Sequence, residues 1–438
     1  MRAMLVAALT PLLATLVAAQ APAPPTTLFR NVRIFDGVEP RLSPTTNVLV
    51  RGNTIAAIGP GVTDAGATVI DGAGRTLMPG LIDVHVHMTF SSLALPQLLA
   101  PDLTPASVEA AAAAGAEAML LRGFTSVRDV GGPVFELKAG IDAGRHRGPR
   151  IWPSGPALSQ TSGHGDMRLP DEPSRRFTGK VPRFEQLGAG IIADGRDEVL
   201  TAVRENLRRG ASQIKVMAGG GTSSAYDPLD VTQYTLDEMK AAVEAAEDWN
   251  TYVTVHAYHP RAVRRAIEAG VKCVEHGQLL DEDTLRLMAA KGVWLSLQNL
   301  MEDSPNMEEA RRRKRQPVLE GQARIWPMAR QLGVKLAWGT DFLFEPGMNK
   351  EQNAYILRLR PWFTPAEILK LVTHDNAQLL ALSGPRSPYT GILGVVKPGA
   401  LADLILVDGD PLARLELLTT PDTSFVVIMK DGQIVKNR

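Results

Sequence analysis

The sequence predicts an α/β protein: a (β/α)8 barrel with a small β-sandwich domain formed by both termini. Three observations carry this. Between residues 80 and 388, about eight apolar, β-branched runs alternate with helical stretches, as an eightfold barrel requires. Residues 22–79 and 389–438 read instead as short strands and turns, so the two ends build one sheet domain. The chain has 438 residues, 45% of them hydrophobic, enough to fill both cores. An open doubly wound sheet is the competing architecture, and the lack of a Gly-x-Gly-x-x-Gly run opening a helix counts against it.

The chain begins MRAMLVAALTPLLATLVAAQAPAPP. One positive residue, an apolar stretch and small residues ahead of a Pro-rich linker form the pattern of a secretory signal peptide over residues 1–21. An exported protein, periplasmic or secreted, is expected. No later stretch is apolar enough to span a bilayer. Cys273 is the single cysteine, so no internal disulfide forms and stability rests on the core.

After the linker, TLFRNVRIFDG, TNVLVRGNTIAAIG and ATVIDGAGRTLMPG are strands punctuated by Asp-Gly and Gly-Asn turns. The barrel strands follow in LIDVHVH, TSVRDV, RIWPSG, SQIKVM, YVTVHA, KCVEHG, VWLSLQ and KLAWGTD. Helices between them carry their own start signals. Thr104 caps a helix with Pro105 at its first position and Gly123 at its stop. Thr235 with Glu238, and Thr364 with Glu367, fit capping boxes. A Gly-, Pro- and Ser-rich stretch from Pro156 to Gly195 breaks the rhythm and reads as a long functional loop. The C-terminal strands GVVKPGALADLILVDGDPL and SFVVIMKDGQIVKN meet a hairpin turn at Lys430-Asp431-Gly432.

Lys plus Arg and Asp plus Glu both number 47, a formal net charge of zero, which argues against a nucleic-acid binder. The run Glu308 to Arg315 reads as a solvated helix face.

The polar residues at the barrel-strand ends point to chemistry. Active sites of such barrels lie at the C-terminal ends of the strands. In LIDVHVHMTF the alternation puts His85 and His87 on one face. The fourth strand contributes Lys215, the fifth His256, the sixth His276 and the eighth Asp341. Taken singly, His276 reads as a packed core histidine. With half of the eight histidines at these positions, the set reads as a metal centre.

GLIDVHVH, IKVMAGGG, VTVHAY, VEHG and WGTD resemble the amidohydrolase superfamily, and DGAGRTLMPG and VKPGALADLILVDGDP resemble its sheet domain. TSVRDVGG, SGHGD and TPAEILKLVTHDNAQLLAL are similar to its imidazolonepropionase-like branch, which holds Xaa-Pro dipeptidases, carboxypeptidases and ochratoxin-hydrolysing enzymes. Lys215 places the chain nearer the binuclear peptidase-like members.

The resemblance implies two divalent ions, Zn²⁺ expected. His85, His87 and Asp341 would hold one, and His256 and His276 the other. It also implies that Lys215 is an N6-carboxylysine whose CO₂-derived carbamate bridges them; an ordinary lysine snorkelling to the mouth is the alternative. Two such ions lower the pKa of a shared water and polarise the scissile carbonyl. Asp341 is then the catalytic base and acid that moves the proton to the leaving nitrogen.

His164 reads as a catalytic, substrate-contacting or oxyanion-stabilising residue, or as a loop-structuring one. Tyr258 offers a hydroxyl to a substrate carboxylate, or packs over the rim. Arg128 either pairs with Asp129 under the site or contacts substrate. His146 and His374 read as structural, and His259 stays ambiguous.

Hydrolysis of the amide before a C-terminal amino acid in dipeptides, small peptides or N-acyl amino acids is the expected reaction, ochratoxin-type aryl amides included. A cyclic or other non-peptide amide is the alternative. A small-molecule or short-peptide substrate and a homo-oligomeric state are the expected partners.

Overall fold

The computed structural model describes residues 25–98, 100, 102–224, 226–300, 307 and 309–438; the signal peptide expected over residues 1–21 lies outside them. Among the described residues no helix is long and apolar enough to cross a membrane.

The barrel strands are Leu81–Val86, Phe124–Asp129, a third strand in two pieces, Ile214–Met217, Val253–Ala257, Cys273–His276, Trp294–Gln298 and Lys335–Gly339. The third strand breaks at Ser154-Gly155-Pro156. Its lower piece, Arg150–Pro153, pairs with the second strand, and its upper piece, Ala157–Ser159, pairs with the fourth. All these pairings are parallel. Each strand is buried on both faces, which explains its near-continuous apolar sequence. The stretch expected as one irregular loop is partly regular: it contains the upper piece of strand three, two one-turn helices and a short strand, Gly190–Ile192, paired with that piece.

The predicted caps form. Thr104 accepts from the Ser107 amide, and Thr235 and Thr364 close reciprocal capping boxes with Glu238 and Glu367. The helical stretch from Pro365 passes through a π-turn at Leu371–Asp375 before resuming at Asn376–Leu380.

That π-turn presents Asn376 to the place where the barrel closes. Strand eight meets strand one without a regular ladder among the described residues, and side chains complete the seam. Asn376 accepts from the Trp338 amide (3.0 Å) and donates to the carbonyls of Ile82 (2.7 Å) and Trp338 (2.8 Å). Above it, buried Asp83 accepts from the Thr340 amide and hydroxyl, the Gln352 amide group and the His85 amide. Gly339 makes this approach possible, since a Cβ there would lie 2.5 Å from the His85 backbone nitrogen.

The small domain is one mixed eight-stranded sheet rather than two separate ones. Strand Thr26–Ile34 belongs to both arms: its first part pairs with Thr46–Arg51 and Thr68–Asp71, and its end with Thr76–Pro79. The arms close over a shared core that includes Phe29, Val48 and Ile55 from one and Leu77, Leu404 and Met429 from the other. Arg150, at the foot of barrel strand three, locks the domain on through Asp403 (2.8 Å) and Asp431 of the C-terminal hairpin turn (2.6 Å).

The seam yields a prediction. Asn376→Ala strands two buried backbone groups of Trp338 and one of Ile82, each costing about 1–3 kcal/mol. A stability loss of at least about 2 kcal/mol is expected, read as a lower urea midpoint; an unchanged midpoint would show that Asn376 does not hold the seam.

Candidate metal centre

At the C-terminal mouth, Nε2 of His85 and Nε2 of His87 each lie 3.2 Å from Oδ1 of Asp341. Nδ1 of His276 lies 4.0 Å from its other oxygen. One ligand atom each from His85, His276 and Asp341 falls within 4.8 Å of the others, the spacing of a shared cation. The His256 ring is 4.3 Å from that of His276. His276 and Asp341 both leave their strands at positive φ, +80° and +55°, a conformation that costs non-glycine residues about 1–3 kcal/mol and clusters at functional sites. Lys215 sits within its strand, as the second residue of Ile214–Met217, and is buried at the same floor.

The electrostatics suit a cation. Burial holds His256 and His276 well below the usual imidazole range, so both are neutral and their lone pairs are free to ligate. Burial alone would raise the Asp341 carboxyl, but His85 and the other imidazoles pull it well below the carboxylate range. Burial also lowers the Lys215 ammonium. Nδ1 of His276 is buried without a hydrogen-bond partner. Unpartnered polar groups at such depth are costly in a folded chain. A divalent ion satisfies the donor set.

The outer contacts fix the rings. His85 Nδ1 bonds Glu275 Oε2 (2.8 Å) and His87 Nδ1 donates to the Gly131 carbonyl (3.0 Å), which leaves each Nε2 toward Asp341. Glu275 is held in turn by Arg128 (2.6 Å), the Thr254 hydroxyl and the Cys273 thiol (3.4 Å). Burial would push the Glu275 carboxyl up; Arg128 and His85 draw it well below its ordinary value.

Arg128 requires a correction. It is fully buried beneath the His85, His276 and Asp341 cluster, bonded to the Val84 carbonyl (2.6 Å), the Tyr252 hydroxyl (3.2 Å) and Glu275, and it lines no part of the cleft. It therefore contacts no substrate there, and its partner is Glu275 rather than Asp129. Asp129 instead accepts from the amides of Met88 and Gly131, and burial pushes its carboxyl up to about 7.

Above the floor opens a cleft of about 560 Å³. Phe90, Phe344, Met348, Arg311 and Arg315 are among the residues that line it. Tyr258 and His164 also line the cleft. The Tyr258 ring lies 5.1 Å from both the His256 and His276 rings, and its hydroxyl bonds Thr222. His164 stacks on His256 at 4.0 Å. Arg315 is buried, so the basic run is only partly the solvated face its composition suggests.

His146 bonds Glu109, His374 bonds Asp375 and His259 caps a helix, all outside the cleft lining. Glu275, Asp227 and Arg315 are site residues missed by sequence reasoning. A charged residue inside the otherwise apolar Cys273-Val274-Glu275 run is the signal that marks the first; for the other two the sequence carries none.

A model of the amidohydrolase family matches residues 76–436. The ochratoxinase of Aspergillus niger is 34% identical over 371 residues, 82% of this chain and 75% of that protein. Its crystal structure is similar at a TM-score of 0.81, with 28% identity over 95% of this chain and 97% of that one. A prolidase structure complexed with N-methylphosphonate-L-proline gives 0.85 and 32% identity over 94% and 100% of the two chains. A Xaa-Pro dipeptidase structure with methionine in its active site gives 0.79 and 27% identity over 94% and 100%.

The buried pair beneath the ligands supplies a test. Arg128→Gln leaves Glu275 short of its cation and should cost about 3–5 kcal/mol of stability, with KM of the folded fraction unchanged. A raised KM at normal stability would restore Arg128 as a substrate contact.

Proposed function

The chain belongs to the amidohydrolase family, and we propose that it hydrolyses the amide bond before a C-terminal amino acid in dipeptides, small peptides or N-acyl amino acids, ochratoxin-type aryl amides among them. The observation that carries this reading is the cleft itself. A cluster of buried imidazoles with one carboxylate forms its floor, and its lining combines apolar aromatic surface with the cations Arg311 and Arg315. Such a lining suits a substrate with a hydrophobic side chain and a free carboxylate. The prolidase complexed with N-methylphosphonate-L-proline and the dipeptidase with bound methionine support it, because both ligands carry an amino-acid carboxylate.

In this reading His85, His87 and Asp341 would hold one divalent ion, probed as Zn²⁺, and His256 and His276 a second, with Lys215, carboxylated by CO₂, as a further ligand. Bound there, the ions supply Lewis acidity toward the scissile carbonyl and lower the pKa of the attacking water. The chain's own residues do the rest. Asp341, ionised among imidazoles, takes the water's proton and delivers it to the leaving nitrogen, without which an amine leaves poorly. His164, stacked beside His256, contacts the reacting group. Tyr258 turns its hydroxyl from Thr222 to the substrate carboxylate. Lys215 can react with CO₂ because burial favours its free amine: the nitrogen lone pair bonds the carbon, one C=O π pair moves onto oxygen, and the displaced N–H proton goes to water.

Export belongs to the same proposal. It is supported by the apolar, small-residue N-terminus, and peptide scavenging suits an extracytoplasmic enzyme. A homo-oligomeric state also remains part of this reading.

A panel of dipeptides and N-acyl amino acids, each as free acid and as amide, tests the substrate class on zinc-loaded enzyme. Turnover confined to free acids is expected. Tyr258→Phe should then raise KM for them by the equivalent of roughly 1.5–3 kcal/mol, the range for hydrogen bonds to charged groups. Preferred turnover of cyclic amides would overturn the reading.

Lys215→Ala should abolish nearly all activity and bound metal, with partial recovery in a short-chain carboxylic acid that can occupy the gap. A Lys215→Arg enzyme with wild-type rate and metal content would exclude the carbamate.

A further inference from the structure

His164 is held on every side but the cleft, and the group that organises its contacts is a carboxylate far away in sequence. Asp227 is fully buried. One of its oxygens accepts from the Gly221 amide (2.7 Å) and lies 3.3 Å from His164 Nδ1. The other accepts from the Ser224 hydroxyl and lies 3.4 Å from Lys314 Nζ, which also donates to the Ser224 carbonyl (2.9 Å). Ser224 Oγ is 2.7 Å from His164 Nδ1. One carboxylate thus ties together the loop after strand three, the loop after strand four and the helix Glu309–Gln331.

We propose that Asp227 is a positioning residue that, through Ser224, fixes the tautomer and orientation of His164. The hydrogen-bond inventory leads there directly. An ionised carboxylate only accepts, and a hydroxyl has one proton. His164 and the other donors hold the Asp227 carboxyl below its ordinary value against the opposing effect of burial, so it is ionised. Ser224 therefore gives its proton to Asp227, and its oxygen must accept from the ring. That places a proton on His164 Nδ1 and leaves Nε2 as the ring nitrogen turned to the cleft.

The packing enforces the same pose. A Cβ on Gly221 would lie 1.9 Å from His164 Cε1, so a glycine is required beneath the ring. His256 stacks on it at 4.0 Å, and Gln233 holds the His164 amide (3.0 Å). A histidine that merely organised a loop would need neither a buried carboxylate nor a cradle open on the cleft side.

This inference rests on the proposed role of His164 at the cleft, and the test separates the two. Long-range ¹H–¹⁵N correlation spectra of zinc-loaded enzyme, with His164→Ala assigning the signal, report the tautomer without turnover. Wild type should show His164 protonated at Nδ1. Asp227→Asn and the milder Ser224→Ala should shift it toward the other tautomer or a mixture. Kinetics on the substrate preferred in the panel complete a double-mutant cycle. Asp227→Asn should lower kcat by about 10–100-fold, the scale for groups that orient a site residue, and should have no further effect in His164→Ala. An Nε2-protonated wild-type ring, or fully additive losses, would overturn the positioning role. An undiminished kcat in His164→Ala would overturn the role of His164 and the inference with it.

Discussion

Everything at the mouth depends on how strand eight meets strand one. Asp341 reaches His85 and His87 only because the seam brings the two backbones close, with the Asp341 amide on the His85 carbonyl at 2.9 Å. Strand ladders alone do not hold this edge. Asn376 below and Asp83 above supply hydrogen bonds that the strands do not make to each other. Asn376 is delivered by a π-turn, an irregularity common at functional sites. The residue before Asp341 follows the same logic: Thr340 spends both its amide and its hydroxyl on Asp83, which places Asp341 at positive φ over the histidines. Gly339 is thus required by proximity, because any side chain would push strand one away.

The interior beneath the ligands solves a second problem. Several imidazoles and a lysine cannot all be charged at one buried point; burial keeps His256 and His276 uncharged and draws the Lys215 ammonium below its ordinary value. Negative charge is then placed on both sides of His85: Asp341 at Nε2 and Glu275 at Nδ1. Glu275 would be an expensive buried anion without Arg128, and Arg128 an expensive buried cation without Glu275. The pair contributes little net stability by itself. Its role is orientation, since it fixes which nitrogen of His85 faces the centre.

Much of this was legible in the sequence. Alternating strands and helices, capping boxes at Thr235 and Thr364 and Gly-punctuated ends follow local rules, and the fold obeys them. The histidines, Lys215 and Asp341 stand out because such residues are unusual in apolar strands, and the structure gathers them at one floor. What escaped has a common cause. Arg128 read as a partner of its neighbour Asp129 under the site or as a substrate contact; it does lie under the site, but its partner is Glu275, from another strand. Asp227 and Glu275 act through long-range contacts, 60 and 190 residues from the histidine nitrogens they face or help to orient, counting Ser224 to His164 for the first. Local periodicity carries no information about such pairs. The break at Ser154-Gly155-Pro156 was readable as turn chemistry, but not that the strand resumes beyond it.

The division of labour between strands and loops follows from these contacts. The residues of the floor sit on strands or just past their ends, where ladders, the seam and the Arg128–Glu275 pair hold the backbone. The cleft lining comes from the loops after strands one, three, four and eight and from the helix after strand seven, which carry Phe90, His164, Thr222, Phe344 and Arg315. The Asp227 knot ties three of those elements, the loops after strands three and four and the helix, to one another. Changes in the lining therefore alter which amide enters without disturbing the ligands, as expected of a fold in which binding residues ride on loops above a fixed scaffold. The knot sits where the two parts meet: it belongs to the loops by sequence, yet through the His164–His256 stack it touches the floor. A substitution there should couple specificity to rate, whereas one at Phe90 or Phe344 should change specificity alone.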